Sequence, residues 1–221
     1  MFKELLNLIK SDSLYEQALN RCHEMLDIDS QIFNESIKSL RNWDSSEIPI
    51  YIFEMDKKIN AFEREVRRKI MTHLSISGTK DLPSGLILIS VVIDIERIGD
   101  YTINIYELAM NHPKKLQGFD FEEKLSLIET NTKKLLTSTI EAFKNQDVQL
   151  GSQLMIDYKE GISKQCDEIT NTIIAGGSNI DADSATAVAL YARYLKRISA
   201  HSRNLISSIV NPFERIGYPE K

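Results

Sequence analysis

The residues with the clearest chemistry stand at one point of the chain, Glu96-Arg97-Ile98-Gly99-Asp100. Glu96, Asp100 and Asn104 recur at every fourth position, so on a helix their oxygens stack along one face. Val91, Ile95, Ile98, Ile105 and Ala109 form an apolar stripe on that helix, and Val92, Glu96, Gly99 and Ile103 run beside it. Glu96 therefore stands in apolar territory. An unpaired carboxylate there costs several kcal/mol, so it is expected to be protonated, paired or metal-bound. Gly99 costs about 1 kcal/mol relative to Ala in a helix interior, which points to a close approach at that position.

A second helix can face these oxygens. Asp56 and Asn60 share the four-residue spacing, and Glu63 follows one turn on. Two helices that each offer oxygens at i and i+4 can place about four or five hard donors around one or two cations. A shell of oxygens without His or Cys suits iron, manganese or magnesium, with zinc less favoured. The competing arrangement is a polar seam in which Arg64, Arg67 or Arg97 neutralises the carboxylates.

The elements that must position these groups are helices. Gly and Pro are few, at nine and five, and alternating strand-like patterns are scarce. Apolar spacing predicts helices over 13–43, 47–74, 83–111, 121–144, 148–175 and 182–210. In the first, Tyr15, Leu19, Cys22, Leu26, Phe33, Ile37 and Leu40 keep helical spacing, and Asp29 interrupts the stripe. The pattern then repeats: Leu40-Arg41-Asn42-Trp43-Asp44 returns as Phe143-Lys144-Asn145-Gln146-Asp147, and Ser84 aligns with Ser184. Two related units are expected, 1–115 and 116–221, each a three-helix bundle in an all-α protein.

Glu96-Arg97-Ile98-Gly99-Asp100, the duplicated three-helix pattern and Met25 in the first helix together resemble the PhoU family, helical regulators of bacterial phosphate uptake. The resemblance implies acidic pairs from the second and third helices of each repeat that gather metal where those helices meet. On this chain the implied ligands are Glu96, Asp100, Asp56 and Asn60, with iron first and manganese, magnesium or zinc as alternatives. Asn60 stands where the family more often has Asp, so the site keeps an oxygen and loses a charge. The family further implies a non-enzymatic regulator, a homodimer, that contacts a phosphate transporter's ATPase and a sensor kinase and reaches the membrane only through those partners.

The second repeat departs from that pattern. Lys196 takes the Glu96 position, Ser199 that of Gly99 and Ala200 that of Asp100. A lysine repels cations, so an ion pair of Lys196 with Asp157 or Glu160 is expected in place of metal. Arg193, Lys196, Arg197, His201 and Arg203 are then expected to form a solvated or salt-bridged helix face.

Other features narrow the class. The net charge of −5 argues against general nucleic-acid binding. Cys22 and Cys166 fit buried free thiols in a reducing compartment. No apolar run suits a signal peptide or a membrane span, so a cytoplasmic location is expected. The four His are dispersed, with surface or capping roles expected, and Gly176-Gly177 reads as a helix stop. The tail is expected to dock through Phe213 and Ile216. Three rivals remain: a PhoU-like module of a sodium–phosphate cotransporter or another transporter, a carboxylate-bundle enzyme, and a metal-free helical adaptor.

Overall fold

The structure, a computed structural model, describes residues 13–44, 52–158 and 161–219. Among these residues the chain is mostly α-helical and has no strand. The first repeat contains α1 (Leu14–Asn42), α2 (Ile52–Ser77) and α3 (Leu82–Asn111). The second contains α4 (Glu122–Asn145), α5 (Val148–Tyr158), α6 (Ile162–Ile174) and α7 (Ala182–Val210). These form two tandem three-helix bundles, with α5 and α6 together filling the place of the second helix.

Local chemistry sets most helix ends. Ser13 accepts from Glu16 N while the Glu16 carboxylate takes Ser13 N, a reciprocal cap that starts α1. Asp181 caps α7 through Ser184 N at 2.9 Å, and Pro83 lies in the first turn of α3. Beyond α6, Gly176 has φ +70 and Gly177 N reaches back to Thr172 O at 2.9 Å, so the expected stop is a left-handed glycine cap. The expected start of the second helix, with Glu47 and Pro49, lies outside the described residues.

One prediction needs correction. The segment 148–175 is not one helix: α5 ends at Tyr158 and a new helix begins after Gly161. Its apolar spacing runs on through the interruption, so periodicity alone could not reveal it.

Most of the apolar stripes meet in a cluster that runs through both repeats, from Cys22, Met25 and Ile32 to Tyr191, Leu195 and Ile198, and Leu135, Ala142, Leu154, Met155 and Ile206 form a smaller one in the second repeat. The two repeats join mainly where α3 packs on α7. The link between them is pinned to the end of α1: Leu116 N donates to Leu40 O at 2.7 Å, and Arg41 donates to Leu116 O at 2.6 Å. Cys22 and Cys166 are buried free thiols, and burial pushes both up to about 12. The tail docks only in part as expected, with Ile216 half-buried and Phe213 not. Phe213 is 41% exposed, and the tail is held instead by Gly217 N on Ser207 Oγ and by Arg203 on Gly217 O.

Candidate metal site

The α3 stripe is buried as its spacing requires, with Val91, Ile95, Ile98 and Ile105 fully enclosed. That anchors the helix and leaves Glu96 and Asp100 at the edge facing α2, where Asp56 and Asn60 lie. Asp56 and Glu96 each lie within electrostatic reach of Asp100. Asn60 joins them indirectly, donating from Nδ2 to Asp56 O at 3.2 Å and to Asp56 Oδ2 at 3.3 Å. Burial raises the Glu96 carboxyl above its usual range, and the charge of Asp100 raises it further. Asp56 is raised as well, by burial first and then by Asp100 and Glu107.

Arginines cover part of this surface, as the polar-seam alternative anticipates. Arg97 donates to Asp100 Oδ2 at 2.5 Å, and its Nε lies 3.5 Å from Glu96 Oε2. Arg67 pairs with Glu63 at 2.7 Å. Arg97 is half exposed, so its pairing is a solvated contact of small energy. Among the described residues, no group of three or more His, Cys, Asp or Glu side chains is placed to hold a metal ion.

Sequence reasoning noted Asp29 as a break in the α1 stripe but did not place it at the site. It is fully buried, and neither carboxylate oxygen has a hydrogen-bond partner within the protein. Burial, then the charges of Asp56, Glu96 and Asp100, push it well above the carboxylate range. Gly99 provides its room. A Cβ at Gly99 would lie 2.9 Å from Asp29 Oδ1 and 3.1 Å from Ile59 Cδ1. Asp29 is thus a buried carboxylate without a partner, beside the Glu96–Asp100 turn of α3, and these acids do not close into a metal shell.

The second repeat is built from the opposite charge. Lys196 donates to both oxygens of Asp167 at 2.6 Å. The expected partner Asp157 instead accepts from Gln153 at 2.8 Å, and Glu160 lies outside the described residues. Lys196 and Asp167 each stand one hundred positions after Glu96 and Arg67, so both charges of the corresponding pair are inverted.

The basic face of α7 is not merely solvated. His201 is buried and donates from Nδ1 to Asp94 Oδ1 at 2.7 Å, while Arg197 reaches its Nε2 at 3.0 Å. Arg197 also donates to Tyr101 Oη at 3.2 Å, and Asn204 donates to Asp94 Oδ1 at 2.8 Å. These bonds tie α7 to α3. A surface role for His201 is thus overturned, because packing of one repeat on the other encloses it.

A family model for the PhoU domain matches this chain twice, over residues 22–109 and 125–209. The chain belongs to the PhoU domain family. The two matches fall on the two three-helix bundles. The phosphate-specific transport system accessory protein PhoU homolog 1 of Thermotoga maritima is 27% identical over 213 residues, covering 95% of this chain and 87% of that protein. The crystal structure of PhoU from Pseudomonas aeruginosa superposes with a TM-score of 0.74 at 20% identity, covering 89% of this chain and 95% of that one. The phosphate transport system regulatory protein PhoU of Streptococcus pneumoniae gives 0.66 at 15% identity, covering 88% and 94%. The PhoU fold therefore extends over nearly the whole chain, with a carboxylate seam in one repeat and a lysine–aspartate pair in the other.

Proposed function

We propose that this PhoU protein is a non-enzymatic accessory regulator of phosphate transport whose first repeat binds a divalent cation. The observation that carries the metal reading is the seam of Asp29, Asp56, Glu96 and Asp100, in which a buried carboxylate lacks any counter-charge. Family membership and the printed role of the Thermotoga maritima relative support the phosphate reading. Glu96, Asp100, Asp56 and Asn60 hold the cation, with iron preferred over manganese, magnesium or zinc. When bound, the ion neutralises the seam and fixes α2 and α3 in register. That shapes a surface for a phosphate transporter's ATPase and a sensor kinase, which this protein meets as a homodimer on the cytoplasmic side.

None of the described helices is long and apolar enough to cross a membrane, so in this reading membrane contact runs through the partners. Deleting the gene should raise phosphate uptake or derepress phosphate-starvation genes in phosphate-rich medium. Glu96→Ala/Asp100→Ala should reproduce part of that phenotype while keeping the helical circular-dichroism spectrum. Normal phosphate accumulation and normal silencing in a clean deletion, with no redundant homologue present, would remove the regulator reading.

A further inference from the structure

The outer face of α2 carries charge of one sign. Ile59, Val66 and Ile70 are buried on its inner side, so the helical period turns Lys57, Ala61, Arg64, Arg68 and Ser75 outward in a single ridge. The ridge is about 27 Å long and one helix wide. From Lys57 to Lys80 every exposed charge among the described residues is positive, in a chain whose net charge is −5. Lys57 pairs with Glu54 at 2.7 Å, but Arg64 and Arg68 pair with no acid among the described residues. They are like charges one turn apart, which weakens a helix instead of supporting it. Near its end stands Met71, which is 64% exposed.

The second repeat lacks this face. One hundred positions on, Asp157 stands for Lys57 and Glu168 for Arg68, and Glu168 is paired with Lys124 at 2.8 Å. The ridge is therefore not a requirement of the three-helix bundle. Its flanks are acidic. On the α1 side Arg21 is held by Glu24 and Glu65, at 2.7 Å and 3.1 Å. On the α3 side lie Asp56, Glu63 and the Glu96–Asp100 turn. A broad anionic surface such as a bilayer, laid across α2, would bring its charge onto both flanks. A single acidic helix fits between them. Arginines one turn apart match carboxylates at i and i+4 of a facing helix, each guanidinium fork taking one carboxylate, and apolar residues of that helix cover Met71. We propose that the outer face of α2 is a docking surface for an acidic helical segment of a partner protein. The inference rests on the reading of this protein as a regulator that acts through partners, and it gives that contact its chemistry.

The test titrates the full chain with a fluorescent amphipathic glutamate–leucine helix peptide, followed by anisotropy, with glutamine in place of glutamate as the control peptide. Wild type is compared with Arg64→Glu/Arg68→Glu and with Lys133→Glu/Lys134→Glu, which makes the same charge change at exposed lysines of α4. The acidic peptide is expected to bind the wild type and the α4 variant, and to lose about tenfold or more in affinity for the α2 variant. Arg64→Gln/Arg68→Gln should fall between. Both arginines are exposed, so the helical circular-dichroism spectrum should be unchanged. In cells the α2 variant should derepress phosphate-starvation genes in phosphate-rich medium, as the deletion does. Equal peptide affinity in wild type and the α2 variant would overturn the surface. So would binding to vesicles of equal parts phosphatidylcholine and phosphatidylglycerol that is lost with the same arginines. Normal silencing in the α2 variant, where the deletion derepresses, would overturn the surface and keep the regulator reading. A deletion without phenotype would overturn that reading instead.

Discussion

Asp94→Ala is expected to destabilise the protein by about 3 kcal/mol, because one carboxylate takes two donors from the other repeat. His201 Nδ1 lies 2.7 Å and Asn204 Nδ2 2.8 Å from the same oxygen of Asp94, and both side chains of the His–Asp pair are nearly enclosed. Alanine strands both donors at the α3–α7 interface. It also frees the imidazole that Arg197 and the Tyr101 ring hold, the rings stacked at 5.8 Å. For a chain of this size the loss corresponds to a drop in melting temperature of roughly 6–12 °C. Tyr101→Phe, which removes only the 3.2 Å bond from Arg197, should cost far less. A thermal melt in which Asp94→Ala loses under about 1 kcal/mol would mean that the network does not join the repeats.

The second large effect is a pH dependence with an unusual sign. Asp29, Asp56 and Glu96 all have folded-state values raised above their ordinary 3.8, 3.8 and 4.5. A raised carboxyl binds its proton more tightly when folded. Its stabilising contribution is complete below the ordinary carboxylate range and is lost as pH climbs through the raised value. For Asp29 the loss is about 1.4 kcal/mol for each pH unit of that interval. Metal-free protein should therefore weaken as pH rises above the ordinary carboxylate range and level off once the raised carboxyls have ionised. Glu65 and Glu122 are lowered and act in the opposite direction, so the informative quantity is the wild-type curve minus that of Asp29→Asn. A difference that stays flat with pH would refute the uncompensated-acid account.

Much of this fold was legible because its determinants are local. The Ser13 start, Pro83 and the Gly176 stop act within one turn, and each sits where the sequence places it. Residues on a single α3 face were equally readable, since helical period alone puts Glu96 and Asp100 together. What spacing could not supply was contact across elements. Lys196 bonds Asp167, on the helix that starts after Gly161, and not the acids nearest the Asp56 position. His201 finds Asp94 only because α7 packs on α3. Asp29 left a visible mark, a charge inside an apolar stripe, and its meaning depended on the packing of α1 against Gly99.

The central claim is that the first-repeat carboxylates hold a cation while the second repeat uses a lysine instead. Elemental analysis of protein purified without a chelating column tests it most directly, run on wild type, Glu96→Ala/Asp100→Ala and Lys196→Ala. Metal is expected in the wild type and in Lys196→Ala, and should be absent from the folded double variant. Metal that persists in Glu96→Ala/Asp100→Ala, or is lost on changing Lys196, would contradict the assignment.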